Sequence, residues 1–287
     1  MTIGQKTIGQ KTRKQRILNP GPEGCHPRIH SRNGSCLSEF VIKNIGETLG
    51  APRTLKSRSL RKWIKTRTHC KTERCLVEKT PMDGGKKDKL LNEFFRPKMP
   101  EGWKKDPDEW LDSLNIQDVI RQYEEIYPNF KFYGANPIDF AAPDPQGNIE
   151  NPRCLHEDMC NIQLNQLKDQ GKTHLGFVYN LDPHTKGGSH WIASFTDIPG
   201  HKSYYFDSYG MKPPPQIARF LRSLTLQDPS MKLFYNARRF QFGGSECGMY
   251  CLYFLIRMLE GDDFRAFCRR APKDKEMLKL RKWLFSS

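Results

Sequence analysis

Phe242-Gly243-Gly244-Ser245-Glu246-Cys247-Gly248-Met249-Tyr250-Cys251 joins a turn to the start of a helix. Two adjacent glycines punctuate the chain, Ser245 is a candidate cap, and the apolar run 249–259 follows at once. Cys247 therefore falls in the first helical turn. Unbonded backbone N–H groups and the positive end of the helix dipole favour a thiolate there. Cys251, one turn further on, has neither advantage and reads as core. Gly248 leaves room for a substrate chain to approach the sulfur. Gln241, six residues earlier, can aim its amide beside the Cys247 N–H, where an oxyanion would form.

One hairpin supplies an imidazole and a carboxylate to go with the cysteine. Residues 191–198 and 202–209 alternate apolar and polar positions around Pro199-Gly200. With that turn at the centre, paired residue numbers sum to about 399 in a two-residue loop. His190 then stands opposite Tyr209, with Asp207 one diagonal step away on the same face, within side-chain reach at roughly 7–8 Å. A carboxylate so placed holds the imidazole in one tautomer and stabilises its protonated form. Cysteine, base, orienter and oxyanion donor are the parts of acyl transfer. Singly, each has a plainer explanation: a packed thiol, a strand-end histidine, a turn-forming aspartate, a loop glutamine. Their joint spacing favours chemistry.

The remaining pieces alternate in type. Helical spacing is read over 36–49, 55–66, 161–170, 216–226 and 273–284, and Asp106-Pro107-Asp108-Glu109 reads as a helix start. A further helix starts at Asn115 and is stopped by Pro128. Strands are read at 130–133, 138–140, 175–181 and 232–236. Strands mixed with helices, a hairpin among them, predict an α+β fold around a mainly antiparallel sheet.

The formal charge of the 287 residues is +15, and its distribution is uneven. Residues 1–100 hold 23 Lys and Arg against 8 Asp and Glu, whereas 101–287 hold 24 of each. This predicts a basic arm over 1–100, with residues 1–22 disordered, attached to a near-neutral body over 101–287. The arm's charge suits a phosphate backbone or an acidic partner, and equally a solvated face. With 37% hydrophobic residues a sizeable core is available, and no apolar run is long enough to span a bilayer. No membrane partner is expected, and the start of the chain shows no secretory signal. The 9 cysteines are expected to be reduced thiols of a soluble, intracellular protein. Cys25, His26, His30, Cys36, His69, Cys70 and Cys75 match no strong metal spacing, and neither do Cys154, His156 and Cys160. These cysteines are expected in the core, and no metal or other cofactor is expected.

His190-Trp191 leading a strand, Phe206-Asp207-Ser208 seventeen residues on, and Gln241 six before Cys247-Gly248 resemble the ubiquitin-like-protein (SUMO) and adenovirus-type cysteine proteases. The likeness covers 170–260. A wider one is to the thiol proteases of large cytoplasmic DNA viruses, of the African swine fever virus type. It takes in Ser35-Cys36-Leu37-Ser38, Pro137-Ile138-Asp139-Phe140 and the closing Lys282-Trp283-Leu284-Phe285. Where that viral enzyme has Asn, this sequence has Asp207, as the cellular members do.

The resemblance implies a papain-like core with Cys247 on the central helix and His190 and Asp207 on the sheet. It implies a Cys247–His190–Asp207 triad, an oxyanion hole of Gln241 and the Cys247 N–H, and a narrow substrate channel beside Trp191 and Gly248. It further implies cleavage of viral structural polyproteins after Gly-Gly-containing sequences, in the virion and host cytoplasm. Two rivals stand beside this expectation: removal of ubiquitin or SUMO-like modifiers, and a basic nucleic-acid or capsid scaffold with an idle cleft.

Overall fold

The computed structural model describes residues 22–30, 34–145 and 153–287. The disorder expected for 1–22 therefore lies, but for Pro22, outside the described residues. Four helices come first: α1 (Glu39–Thr48), α2 (Ser57–Thr68), α3 (Glu73–Lys79) and α4 (Gly84–Phe94). Then follow α5 (Ser113–Ile126), β1 (Phe130–Pro137), α6 (Glu157–Cys160), α7 (Leu164–Asp169), β2 (His174–Asn180), β3 (Trp191–Asp197) and β4 (Lys202–Phe206). The chain closes with α8 (Pro215–Gln227), β5 (Lys232–Tyr235), α9 (Cys247–Leu259), α10 (Phe264–Arg269) and α11 (Asp274–Leu284).

The strands form one sheet in the order β1-β2-β3-β4-β5. Its centre is antiparallel, as expected, but each edge strand joins in parallel, so the sheet is mixed. The β3–β4 register pairs Ala193 with Phe206 and Asp197 with Lys202, the pairing read from Pro199-Gly200. The turn needs its glycine, because a Cβ on Gly200 would lie 2.1 Å from the Asp197 carboxylate.

Successive strand residues point to opposite faces, and here helices cover both. Val178, Ala193, Phe195 and Phe206 pack with α5, α9, α10 and α11. Phe177, Tyr179, Ile192 and Tyr205 pack with α7 and α8. Burial on both sides explains why β3 is buried along nearly its whole length. α9 is apolar all round because it lies inside the body, where it packs on β3, α5 and α11.

The first hundred residues hold their own apolar cluster, with Ile42, Ile45, Ile64, Leu76, Val77 and Phe95 at its heart. The helices read at 36–49 and 55–66 are there as α1 and α2, whereas α3 and α4 carried no legible apolar stripe. Hydrogen bonds join this cluster to the body: the Gln122 side chain donates from Nε2 to Phe95 O at 2.8 Å, and Met99 N to Ser286 O at 2.9 Å.

The expectation of reduced cysteines is corrected for six of them. Cys25–Cys36, Cys70–Cys75 and Cys154–Cys160 are disulfides, while Cys247, Cys251 and Cys268 are free. The paired residues lie 11, 5 and 6 positions apart, a short-range pattern that does not announce itself as a framework. Two further corrections are local. Asp106 caps a turn rather than a helix, accepting Asp108 N at 3.1 Å, and the helix that follows starts from a capping box of Asp112 with Asn115. Ile138–Phe140 is a turn and not a strand. No helix among the described residues is long and apolar enough to cross a membrane.

Candidate active site

Cys247 is the first residue of α9. The helix has no side-chain cap, so the expected role of Ser245 is corrected: its Oγ lies 3.3 Å from Glu246 Oε1 instead. A helix start leaves its leading N–H groups without intrahelical partners, and Cys247 carries one of them. The sulfur is free and sits at a residue only 2% exposed. Cys251 is free and fully buried, and burial, with Cys247 and Asp207 nearby, pushes its thiol well above the usual range. That is the behaviour of a core cysteine.

The hairpin carries His190 to the sulfur. Its ring stacks on Tyr209 with centroids 4.6 Å apart, as the register required. His190 Nε2 lies 2.7 Å from Asp207 Oδ1. Cys247 is the other group whose charge acts on the ring, and with Nε2 taken by Asp207, Nδ1 is the nitrogen left to face it. Burial alone would lower the imidazole's proton affinity. The bonds and charges of Asp207 and Cys247 outweigh it and raise the pKa to about 9. At neutral pH the ring thus keeps its proton, the form that supports a thiolate.

Asp207 is fixed from several sides. Oδ1 also accepts the Tyr209 N–H at 2.9 Å, and Oδ2 the Met211 N–H at 3.3 Å. Its own N–H donates to Asn236 Oδ1 at 2.9 Å, and its carbonyl accepts Asn236 Nδ2 at 2.6 Å. Asn236 lies one residue beyond β5, so its amide makes one more rung of the β4–β5 ladder. The sequence placed Asn236 at a strand end but gave no sign of its partner.

Gln241 is fully buried. Its Oε1 accepts the Ser208 hydroxyl at 2.7 Å, while Nε2 donates to Gly243 O at 2.9 Å and to Tyr209 Oη at 3.4 Å. The Gly243 carbonyl can only accept, which fixes the amide's orientation. One amide N–H is firmly engaged and the other only weakly. The loop before Cys247 is pinned by Asp274, whose Oδ2 accepts the N–H groups of Phe242 and Gly243 at 3.0 and 2.8 Å.

Both residues expected to contact substrate also carry structural contacts. A Cβ on Gly248 would meet Leu111 Cβ at 3.0 Å, so this glycine makes room for Leu111. Trp191 belongs to the apolar core, and its indole N–H donates to Leu111 O at 2.8 Å. Little of the ring is left to line a channel. No group of His, Cys, Asp and Glu among the described residues could hold a metal ion.

No family model matches the chain. A protein of Acanthamoeba polyphaga mimivirus named as a thiol protease is 36% identical over 205 residues, a match covering 67% of this chain and 61% of that relative. The chain thus spans about three-fifths of the mimivirus relative's length. The SUMO-1 cysteine protease of African swine fever virus, isolate Kenya, is 23% identical over 93% of this chain and 97% of its own. The crystal structure of the African swine fever virus protease superposes with a TM-score of 0.69 at 22% identity, covering 93% of this chain and 96% of that one. The chain is a homologue of viral thiol proteases and has the fold of a viral cysteine protease.

Proposed function

We propose that this homologue of viral thiol proteases works as a cysteine endopeptidase with Cys247 as nucleophile, His190 as proton carrier and Asp207 as orienter. One observation carries the reading: a buried imidazole hydrogen-bonded to a carboxylate, with its pKa raised by that carboxylate and by a free cysteine at a helix start. The Cys247 thiolate attacks the scissile carbonyl carbon, and the protonated His190 gives its proton to the leaving amine. The neutral ring then takes a proton from the water that attacks the acyl-enzyme, and the thiolate leaves. We assign the Cys247 N–H and the weakly held N–H of Gln241 as donors to the developing oxyanion.

The substrate reading is cleavage next to Gly-Gly in structural polyproteins, within the virion and host cytoplasm. The nearly closed surroundings of Cys247 and His190, 2% and 8% exposed, support a requirement for small residues at the cut. Digestion of a proteome-derived peptide library by the wild type and by Cys247→Ala tests both parts. Cuts made only by the wild type and clustered at Gly-Gly support the reading. Equal cutting by the two proteins ends it. Cuts confined to the ends of ubiquitin or SUMO-like modifiers would shift the substrate to conjugates.

We read residues 1–100 as an arm for a polyanion, such as nucleic acid or an acidic core component. Arg61 is spent on Glu39 and Glu73, but Arg58, Lys65, Lys71 and Lys282 line a groove of about 1380 Å³ between this arm and the C-terminal end. Changing Arg58, Lys65 and Lys71 together to Gln should weaken binding to a DNA duplex and flatten its salt dependence by roughly one unit of slope per lost phosphate contact. Peptide cleavage should be unchanged. Salt-independent or equal DNA binding by both proteins would remove the arm's role.

A further inference from the structure

Asp207 Oδ1 receives two donors, His190 Nε2 at 2.7 Å and the Tyr209 N–H at 2.9 Å. Tyr209 thus grips the orienting carboxylate with its backbone and covers the imidazole with its ring, 4.6 Å away and inclined by 22°. Beyond Tyr209 the run continues. The Arg239 guanidinium lies 5.1 Å from the Tyr209 ring and 5.0 Å from that of Phe242, and Arg239 Nε donates to Gln241 O at 2.6 Å. Tyr209 Oη donates to Gly243 O at 3.3 Å and accepts from Gln241 Nε2 at 3.4 Å. A single side chain therefore touches the imidazole, the amide of Gln241 and the loop that precedes Cys247.

We propose that Tyr209 is a positioning residue for His190, its stacked ring fixing the plane of the imidazole and favouring the protonated ring through its π face. This rests on the cysteine-protease reading of the site. An imidazole held only by one hydrogen bond to Asp207 can swing about that bond, and the swing carries Nδ1 away from the sulfur. A ring stacked on its face removes that freedom. The same face is electron-rich and attracts a cation, so the imidazolium is the form it favours. Burial, and the negative charge of Cys247, raise the pKa of the Tyr209 phenol, so the hydroxyl remains a donor to Gly243 O. Gly243 and Gln241 lie in the segment that leads into Cys247.

The test compares Tyr209→Phe with Tyr209→Leu in the full chain. Two readouts are taken across pH: steady-state cleavage of a Gly-Gly peptide, and the rate at which iodoacetamide alkylates Cys247. The phenylalanine variant keeps the stack and is expected to hold kcat within about threefold, with its alkaline limb where the wild type has it. The leucine variant is expected to lose about 10- to 100-fold in kcat, the cost of a reacting group displaced by an ångström, at nearly constant KM. Its alkaline limb should also move to lower pH, because the protonated ring has lost its stacked face. Should the leucine variant fail to fold, Tyr209→Met at this part-exposed position carries the same comparison. A ringless variant with wild-type kcat and an unmoved limb overturns the proposal. So does an equal loss in the phenylalanine variant, which would place the effect in the hydroxyl. A wild type that neither cleaves peptides nor alkylates at Cys247 ahead of Cys251 marks the failure of the underlying protease reading instead.

Discussion

Arg281 of α11 closes a buried, two-pronged ion pair on Glu246, the residue just before Cys247. Nη2 lies 2.6 Å from Oε1 and Nε 3.2 Å from Oε2, with both side chains almost wholly out of solvent. The guanidinium also donates to Glu109 O at 2.7 Å and lies 4.3 Å from the Trp103 ring. Burial raises the Glu246 pKa, and Arg281 acts against that. A negative charge one residue from a thiolate would oppose its formation, and Arg281 cancels it where it arises.

Arg281→Met should therefore be costly on two counts. It strands a buried carboxylate, for which a loss of roughly 3–5 kcal/mol is expected, and it leaves Glu246 either charged beside the sulfur or protonated. Urea denaturation measures the first effect and the pH dependence of Cys247 alkylation the second. Glu246→Gln combined with Arg281→Met should recover much of the stability, since no unpaired charge remains. A double variant no more stable than Arg281→Met would show that packing against Trp103, and not the ion pair, sets the cost.

The pH behaviour follows from His190. Its pKa in the folded chain, about 9, lies above the ordinary 6.5, so the folded state binds a proton more tightly than the unfolded one. The stability this confers is complete below about 6.5 and is lost as pH rises through 9. Cleavage should share that alkaline limb, because deprotonated His190 no longer supports the thiolate. Asp207→Asn removes one of the groups that raise the pKa, so its limb should fall to lower pH and turnover should drop by orders of magnitude. A pH–rate profile of kcat/KM for both proteins checks this, and an alkaline limb common to the two would remove Asp207 from the site.

How far the sequence revealed this site depends on how local each interaction is. The pairing of His190 with Tyr209 was legible because a two-residue turn at Pro199-Gly200 fixes register by counting. Cys247 was legible because a glycine pair before an apolar run marks a helix start. Asn236, Arg281 and Asp274 were not, since each reaches the site from an element whose docking sequence periodicity does not encode. Arg281 looked like one more charge on a basic helix, though it is buried. The edge strands β1 and β5 were visible as apolar runs, but their parallel pairing depends on crossovers that no local pattern records. The disulfides were not legible because cysteines 5 to 11 residues apart match neither a metal-ligand spacing nor a compact disulfide framework.

Gly248→Ala separates the structural part of that glycine from any contact with substrate. The added methyl would lie 3.0 Å from Leu111 Cβ and 3.1 Å from its Cδ1, closer than side chains normally pack. Leu111 must move, and its carbonyl holds the Trp191 indole N–H. A loss of about 1–3 kcal/mol is expected for overpacking, seen as a lower urea midpoint at unchanged m-value. Gly248→Ala with Leu111→Ala should regain part of it. If Gly248→Ala keeps wild-type stability and only raises KM for Gly-Gly peptides, the residue faces substrate after all.

The disulfides make a count that solution chemistry can check. The chain has 9 cysteines, of which Cys247, Cys251 and Cys268 are free among the described residues. Unfolded without reductant, the protein should titrate three thiols with a chromogenic disulfide reagent, and nine after reduction. Cys25–Cys36 and Cys70–Cys75 both border the apolar cluster of the first hundred residues, so reduction should weaken that part ahead of the body. Losing one such link typically costs about 2–4 kcal/mol. Cys25→Ser with Cys36→Ser should therefore lower the temperature of the earliest unfolding step while peptide cleavage by Cys247 persists below it. Nine reactive thiols in the unreduced chain would restore the expectation of a fully reduced protein. A simultaneous loss of cleavage at low temperature would mean that the arm's fold and the site are one cooperative unit.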